Sequence, residues 1–193
     1  MTYMIEVLRQ EHRNIEKVLQ VLERELTVFD RGERPDYDVL LAVIDYFRDY
    51  PDSCHHPKED LIVEKLKVRD VAAAATIGNL EAEHREGARR LHNVAMTIDA
   101  VLNDQELLRQ SVHDIIRDFV DHERQHMAKE ERLLFPAALN ALSQADWSEI
   151  ALKLDDRHDP LSAVEEKLSL LRRNISKLEG EAEASRRSAS LTN

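Results

Sequence analysis

Apolar residues return every three or four positions through four long stretches of the chain, with polar and charged residues between them. That period places each apolar set on one face of an α-helix, so amphipathic helices facing a common core are expected. The first runs from about Tyr3 to Phe29 and is stopped by "DRGERPD", where Gly32 and Pro35 break it. The second runs from about Tyr37 to Val68, with Pro51 and Pro57 placed to bend or restart it. The third spans about Val71 to Leu102 and ends at "NDQ"; the fourth spans about Glu106 to Leu142, with Pro136 near its end. A shorter helix is expected over about Trp147 to Leu154 and, after "DDRHDP", a last one over about Leu161 to Glu179. In that last helix Leu161, Val164, Leu168, Leu171, Ile175 and Leu178 step by three and four, a short coiled-coil seam that would pack on the bundle or make a homodimer contact.

The resulting reading is all-α. An up-and-down antiparallel four-helix bundle occupies residues 1–143, a helical extension 144–179, and a small, polar tail 180–193 that is expected to be disordered. Composition agrees, because four glycines and five prolines in 193 residues leave too few turn formers for a sheet of many hairpins. A formal net charge of −11 excludes a general binder of nucleic-acid backbone, which needs concentrated Lys and Arg. Residues 1–10 contain no continuous apolar run, so neither a signal peptide nor a membrane span is expected, and the protein reads as cytoplasmic. The one cysteine, Cys54, forms no internal disulfide and reads as an inert thiol.

The histidines change the picture. "QEHR" at 10–13 is echoed by "AEHR" at 82–85, and "HHPKED" at 55–60 by "HMAKEE" at 126–131. Each long helix thus carries a unit, in the order His, His-x3-Glu, His, His-x3-Glu. With turns centred near Glu33, Arg69 and Asp104, His12 lies 21 residues before the first and His55 22 after it. His55 lies 14 before the second turn and His84 15 after; His84 lies 20 before the third and His126 22 after. All four then stand at one level of an up-and-down bundle. At about 100° per residue, His12 shares a face with Ile5, Leu8, Ile15 and Leu19; His84 with Leu80, Leu91 and Ala95; His126 with Ile115, Phe119 and Leu133. His55 aligns with Tyr37, Leu41, Ile44, Arg48, Glu59, Ile62 and Leu66, a core stripe with one charged exception, whereas His56 aligns with Asp45, Asp49, Asp52 and Asp60, a solvated acidic face. His55 and Glu59 are therefore expected to point inward and His56 outward. Two carboxylates buried among imidazoles would cost several kcal/mol per charge, a penalty that bound cations remove. His12, His55, Glu59, His84, His126 and Glu130 are the candidate metal ligands, with His122, one turn before His126, as a further candidate. His92, His113 and His158 read as structural or exposed.

His12, His55-x3-Glu59, His84 and His126-x3-Glu130, with "KED" and "KEERLLFPAAL" after the paired ligands, resemble the hemerythrin-like or HHE cation-binding domain of bacteria over about residues 4–142. "DDRHDPL" resembles a segment that often follows it. The resemblance implies a bundle holding two non-heme irons, oxo- or hydroxo-bridged, with Glu59 and Glu130 bridging and the histidines terminal. Zinc and manganese suit the same donors. It further implies a small diatomic ligand or peroxide as partner, and roles in O2 or NO sensing, peroxide handling or iron homeostasis. The chain departs from respiratory hemerythrin in having Ala88 where an i+4 partner of His84 would stand, which argues against stable reversible O2 carriage and leaves His122 to supply a fifth histidine. A ferritin-like alternative uses Glu-x-x-His at "EAEH" (81–84) and "ERQH" (123–126). A third reading is a metal-free helical interaction module with structural histidines. No nucleophile constellation and no phosphate-binding loop is visible, so an enzyme reading rests wholly on the metal.

Overall fold

The computed structural model describes residues 2–156, together with 175, 177, 180, 181, 183 and 184. The expected last helix, the polar tail and His158 lie outside the described residues apart from those six positions, all helical. Among them Ile175 is buried within the bundle core.

Helix α1 spans Thr2–Asp30, α2 Tyr37–Tyr50, α3 His56–Arg69, α4 Val71–Ile77, α5 Leu80–Leu102, α6 Arg109–Lys129, α7 Phe135–Ala141 and α8 Gln144–Asp156. Among the described residues there is no strand. Helix α1 packs against α2 and α6, and α5 packs against the same two, giving an antiparallel four-helix bundle. Asp36 caps α2 by accepting from the Asp38 and Val39 amides, as an N-cap carboxylate does.

The expected third helix is two helices. Gly78 takes φ 81°, ending α4, and the Asn79 side chain accepts from the Ala82 amide to start α5. Asp70 caps the short α4 in the same way, and α4 folds across α3 instead of extending α5. Alanine at position 78 would be strained in that backbone conformation, and Gly78→Ala is expected to lower stability by about 1 kcal/mol, measured by thermal unfolding.

The second and fourth helices are each interrupted by a π-helical turn. In the first, Pro51–His55, the His56 amide donates to the Pro51 carbonyl; in the second, Glu130–Leu134, the Phe135 amide donates to the Glu130 carbonyl. Each turn stands just ahead of a proline, Pro57 or Pro136. A proline inside a helix lacks the amide that would bond four residues back and crowds that carbonyl; a wider turn relieves both. The inserted residue also shifts the helical phase. Leu41 is 42% exposed and the Arg48 side chain 61%, although an uninterrupted walk places both on the His55 stripe.

The core divides into two clusters. One joins Leu19, Leu22, Val43, Phe47, Val94 and Phe119; the other joins Leu8, Ile62, Leu66, Phe135, Trp147 and Ile150. The histidines and glutamates occupy a polar waist between them: His12 lies between Leu8 and Ile15 on α1, and His84 between Leu80 and Leu91 on α5. Buried Trp147 and Ile150 of α8 close the second cluster, and Asp146 accepts a two-pronged contact from Arg69.

Candidate metal centre

Two groups of side chains come together in the waist, each with its ligand atoms within 4.8 Å of one another: His12, His55, Glu59 and Glu130, and His56, Glu59, His84 and His126. Glu59 belongs to both. Its Oε1 lies 3.1 Å from His55 Nε2 and 3.7 Å from His12 Nε2, while its Oε2 lies 3.6 Å from His84 Nε2. Glu130 spans the groups in the same manner, with Oε2 3.3 Å from His12 Nε2 and Oε1 3.1 Å from His126 Nε2. Both glutamates have no exposed surface.

These close approaches are not hydrogen bonds. All four carboxylate oxygens, with Nε2 of His84 and His126, are buried without a hydrogen-bond partner. Groups of this kind are nearly always satisfied when they are buried. His12 Nε2 and His55 Nε2 lie 3.1 Å apart within hydrogen-bond reach, while the other lone pairs converge without bonding one another; that is the geometry of a cation site, and imidazole with carboxylate is a donor set that suits iron, zinc or manganese.

Without metal, protons supply the missing charge. Burial alone would push His12 down, but the Glu130 and Glu59 carboxylates beside it hold it up at about 9. The same balance, with burial opposing, raises His55 to about 10 through Glu59 and Glu11, and His126 to about 9 through Glu130 and Glu59. Burial and mutual repulsion oppose ionisation of Glu59, yet His55 and His12 keep it below its ordinary value; Glu130 is held lower still by His12 and His126.

An outer set of charges fixes the rings. His55 Nδ1 lies 2.9 Å from Glu11 Oε2, and Lys58 Nζ donates to Glu11 Oε1 at 2.6 Å. His126 Nδ1 lies 3.2 Å from Glu83 Oε2, and Lys129 donates to Glu83 Oε1. His12 Nδ1 lies 3.1 Å from Glu131 Oε1, and His84 Nδ1 3.9 Å from Asp60 Oδ1. A carboxylate at Nδ1 turns Nε2 toward the centre and raises its basicity as a ligand. This explains the internal echo. In "EH" the histidine is a candidate ligand and the glutamate orients the ring of the next helix; in "KED" and "KEE" the lysine anchors that glutamate, the central acid spans the groups, and the last acid faces the histidine of the other helix. Glu11→Ala should weaken metal binding by about 10–100-fold without changing the number of ions bound, as read by titration with a competing chelator.

His56 is not on a solvated face. Its ring stacks on His84, with centroids 3.6 Å apart and planes within 6°, and it completes the second group. On an α-helix, His55 and His56 stand about 40° and 60° to either side of Glu59, so each reaches a different cation position. The signal for His56 in the sequence is its i−3 spacing from Glu59, beside the i−4 spacing of His55. Asp60, on the face expected for His56, does remain half-exposed, facing His84. His122 joins neither group: its Nε2 donates to the Glu83 carbonyl at 3.2 Å, and burial lowers its pKa. His56→Ala is expected to remove one of two ions and His122→Ala neither, counted by elemental analysis.

Other readings meet plain geometry. Glu81 pairs with Arg85 at the surface, and Glu123 joins neither group, so the Glu-x-x-His scheme does not assemble. His113 Nδ1 lies 2.8 Å from Asp30 Oδ2, and His92 is exposed. Cys54 is buried and makes no disulfide. Among the described residues, no helix is long and apolar enough to cross a membrane.

The family model of the hemerythrin HHE cation binding domain matches residues 3–138. The chain belongs to that family. No curated protein and no solved structure matches the chain.

Proposed function

We propose that the waist holds two non-heme irons and that the protein binds or senses O2, NO or peroxide there. The observation that carries this reading is Glu59: one fully buried carboxylate gives one oxygen to each of two histidine groups, and neither oxygen has a hydrogen-bond partner. His12 and His55 would hold one ion, His56, His84 and His126 the other, with Glu59 and Glu130 shared. When bound, such a pair supplies open coordination positions and electron exchange with small oxidants. The residues of the chain do the rest. Glu11, Glu83 and Glu131 keep Nε2 of their histidines turned inward, and the two apolar clusters flank the waist along the bundle. Turnover of peroxide or NO, and iron storage, are alternative uses of the same centre.

Reconstitution with ferrous iron under anaerobic conditions, followed by admission of O2, NO or peroxide, tests the proposal. A change in the visible spectrum that returns on removal of the ligand supports binding or sensing. Steady consumption of peroxide or NO over many cycles would make the protein an enzyme. A chain that takes up no iron at neutral pH contradicts both.

A further inference from the structure

A cavity of about 240 Å3 opens on the second group of histidines, lined by His56, His84 and His126, by the apolar side chains of Phe47, Leu91 and Phe119, and by Glu123. The exposed Arg48 and His92 border it. Glu123 is the anomaly. Glu11, Glu83 and Glu131 around the centre pair with Lys58, Lys129 and Arg9 respectively. Among the described residues, Glu123 has neither a hydrogen-bond nor an ion-pair partner.

Room for it is made on the facing helix. A Cβ added at Gly87 would stand 2.7 Å from Glu123 Oε1, so the carboxyl group occupies the space that any side chain at 87 would need. Glu123 stands three residues before His126 on α6, and Gly87 three residues after His84 on α5. Because α5 and α6 are antiparallel, the Glu123–Gly87 pair lies one turn, about 5 Å, along the bundle from the His84–His126 pair. Ionised, the carboxylate would have only the imidazoles of His126, His55 and His84 as compensating charge, against a larger cost of burial. In agreement, burial pushes its pKa up to about 7.

We propose that Glu123 is a positioning residue that donates a hydrogen bond to the outer end of a small ligand seated at the His56, Glu59, His84 and His126 group. The ligand it fits carries a lone pair on an atom beyond the one held by the metal, as hydroperoxide or a triatomic anion does. This deepens the proposed function and rests on it.

Azide is a suitable probe, titrated at pH 6 into the iron-loaded protein and followed by its charge-transfer absorption, after iron per chain has been counted. Glu123→Leu should weaken azide about tenfold, the loss of one hydrogen bond. Glu123→Gln, whose amide still donates, should stay within about threefold of the parent. Gly87→Ala displaces the carboxyl group without removing it and should act like Glu123→Leu, the double variant being no weaker than either. Parental affinity in both Glu123→Leu and Gly87→Ala, at an unchanged count of two irons, overturns the role of Glu123 and leaves the iron centre standing. No azide binding by the two-iron parent also overturns it, and a chain without iron removes both proposals.

Discussion

Glu59→Ala should strip both metal ions from the protein, whereas loss of any one histidine should cost a single ion or only affinity. The difference follows from geometry: Oε1 of Glu59 faces His55 and His12, Oε2 faces His84, and no neighbouring acid can serve both sides except Glu130, which is already engaged in the same way. The substitution also harms the metal-free protein. His55 is fully buried with its pKa raised to about 10, in large part by Glu59, and without that partner its charge rests mainly on Glu11, which Lys58 already engages. Removing one member of a buried pair costs about 3–5 kcal/mol. Elemental analysis and thermal unfolding of the metal-free variant read the two effects separately. Retention of both ions by Glu59→Ala would show that the carboxylate is a charge partner of the histidines and not a ligand.

The second large effect is a loss of stability with rising pH in the metal-free protein that metal binding removes. His12, His55 and His126 have folded pKa values near 9, 10 and 9, above their unfolded value. Their stabilisation is therefore complete below about pH 6.5 and is lost as pH rises toward 9–10. Glu59 and Glu130 are depressed, so their contribution is present above about pH 4.5 and is lost as acid titrates them at their lowered pKa values. Between pH 7 and 9 the metal-free protein should lose about 1.4 kcal/mol per pH unit for each proton that the folded state holds and the unfolded state does not. Metal binding displaces those protons, so affinity should climb through the same range. Denaturant unfolding with and without metal checks this: the gap between the two curves widens toward pH 9. A gap that stays constant or narrows would show that metal displaces no protons there, as for imidazoles neutral in the metal-free fold.

Much of the bundle was legible because 3.6-residue periodicity and the breakers Gly32 and Pro35 act locally. So were the level and facing of His12, His84 and His126, which depend only on helix geometry and on which residues are apolar. Four features were not. The break at Gly78–Asn79 hides inside a pattern that still reads as one helix, since the short α4 keeps an apolar face, with Ile77 buried against α3 and the second π-helical turn. The π-helical turns shift phase by one residue, and a walk at constant angle carries Leu41 and Arg48 onto the wrong face. The helical walk puts His56 on the solvated face with Asp60 and leaves Glu59 to His55 alone. The structure uses Glu59 for both, from opposite sides. The lysines and last acids of "KED" and "KEE" have no legible role in the sequence, because their partners Glu11, Glu83, His84 and His12 are distant along the chain and become neighbours only when the bundle closes.

The central claim is that the two groups share their glutamates and so form one centre. X-ray absorption at the iron edge of the reconstituted protein tests it most directly. Two ions linked through Glu59 and Glu130 should give an iron–iron vector no longer than about 4 Å, the spacing of two-metal sites. It should be present in the parent and in His122→Ala and absent in His56→Ala. A parent protein with iron bound and no such vector would contradict the account, leaving two groups of histidines that hold at most separate ions.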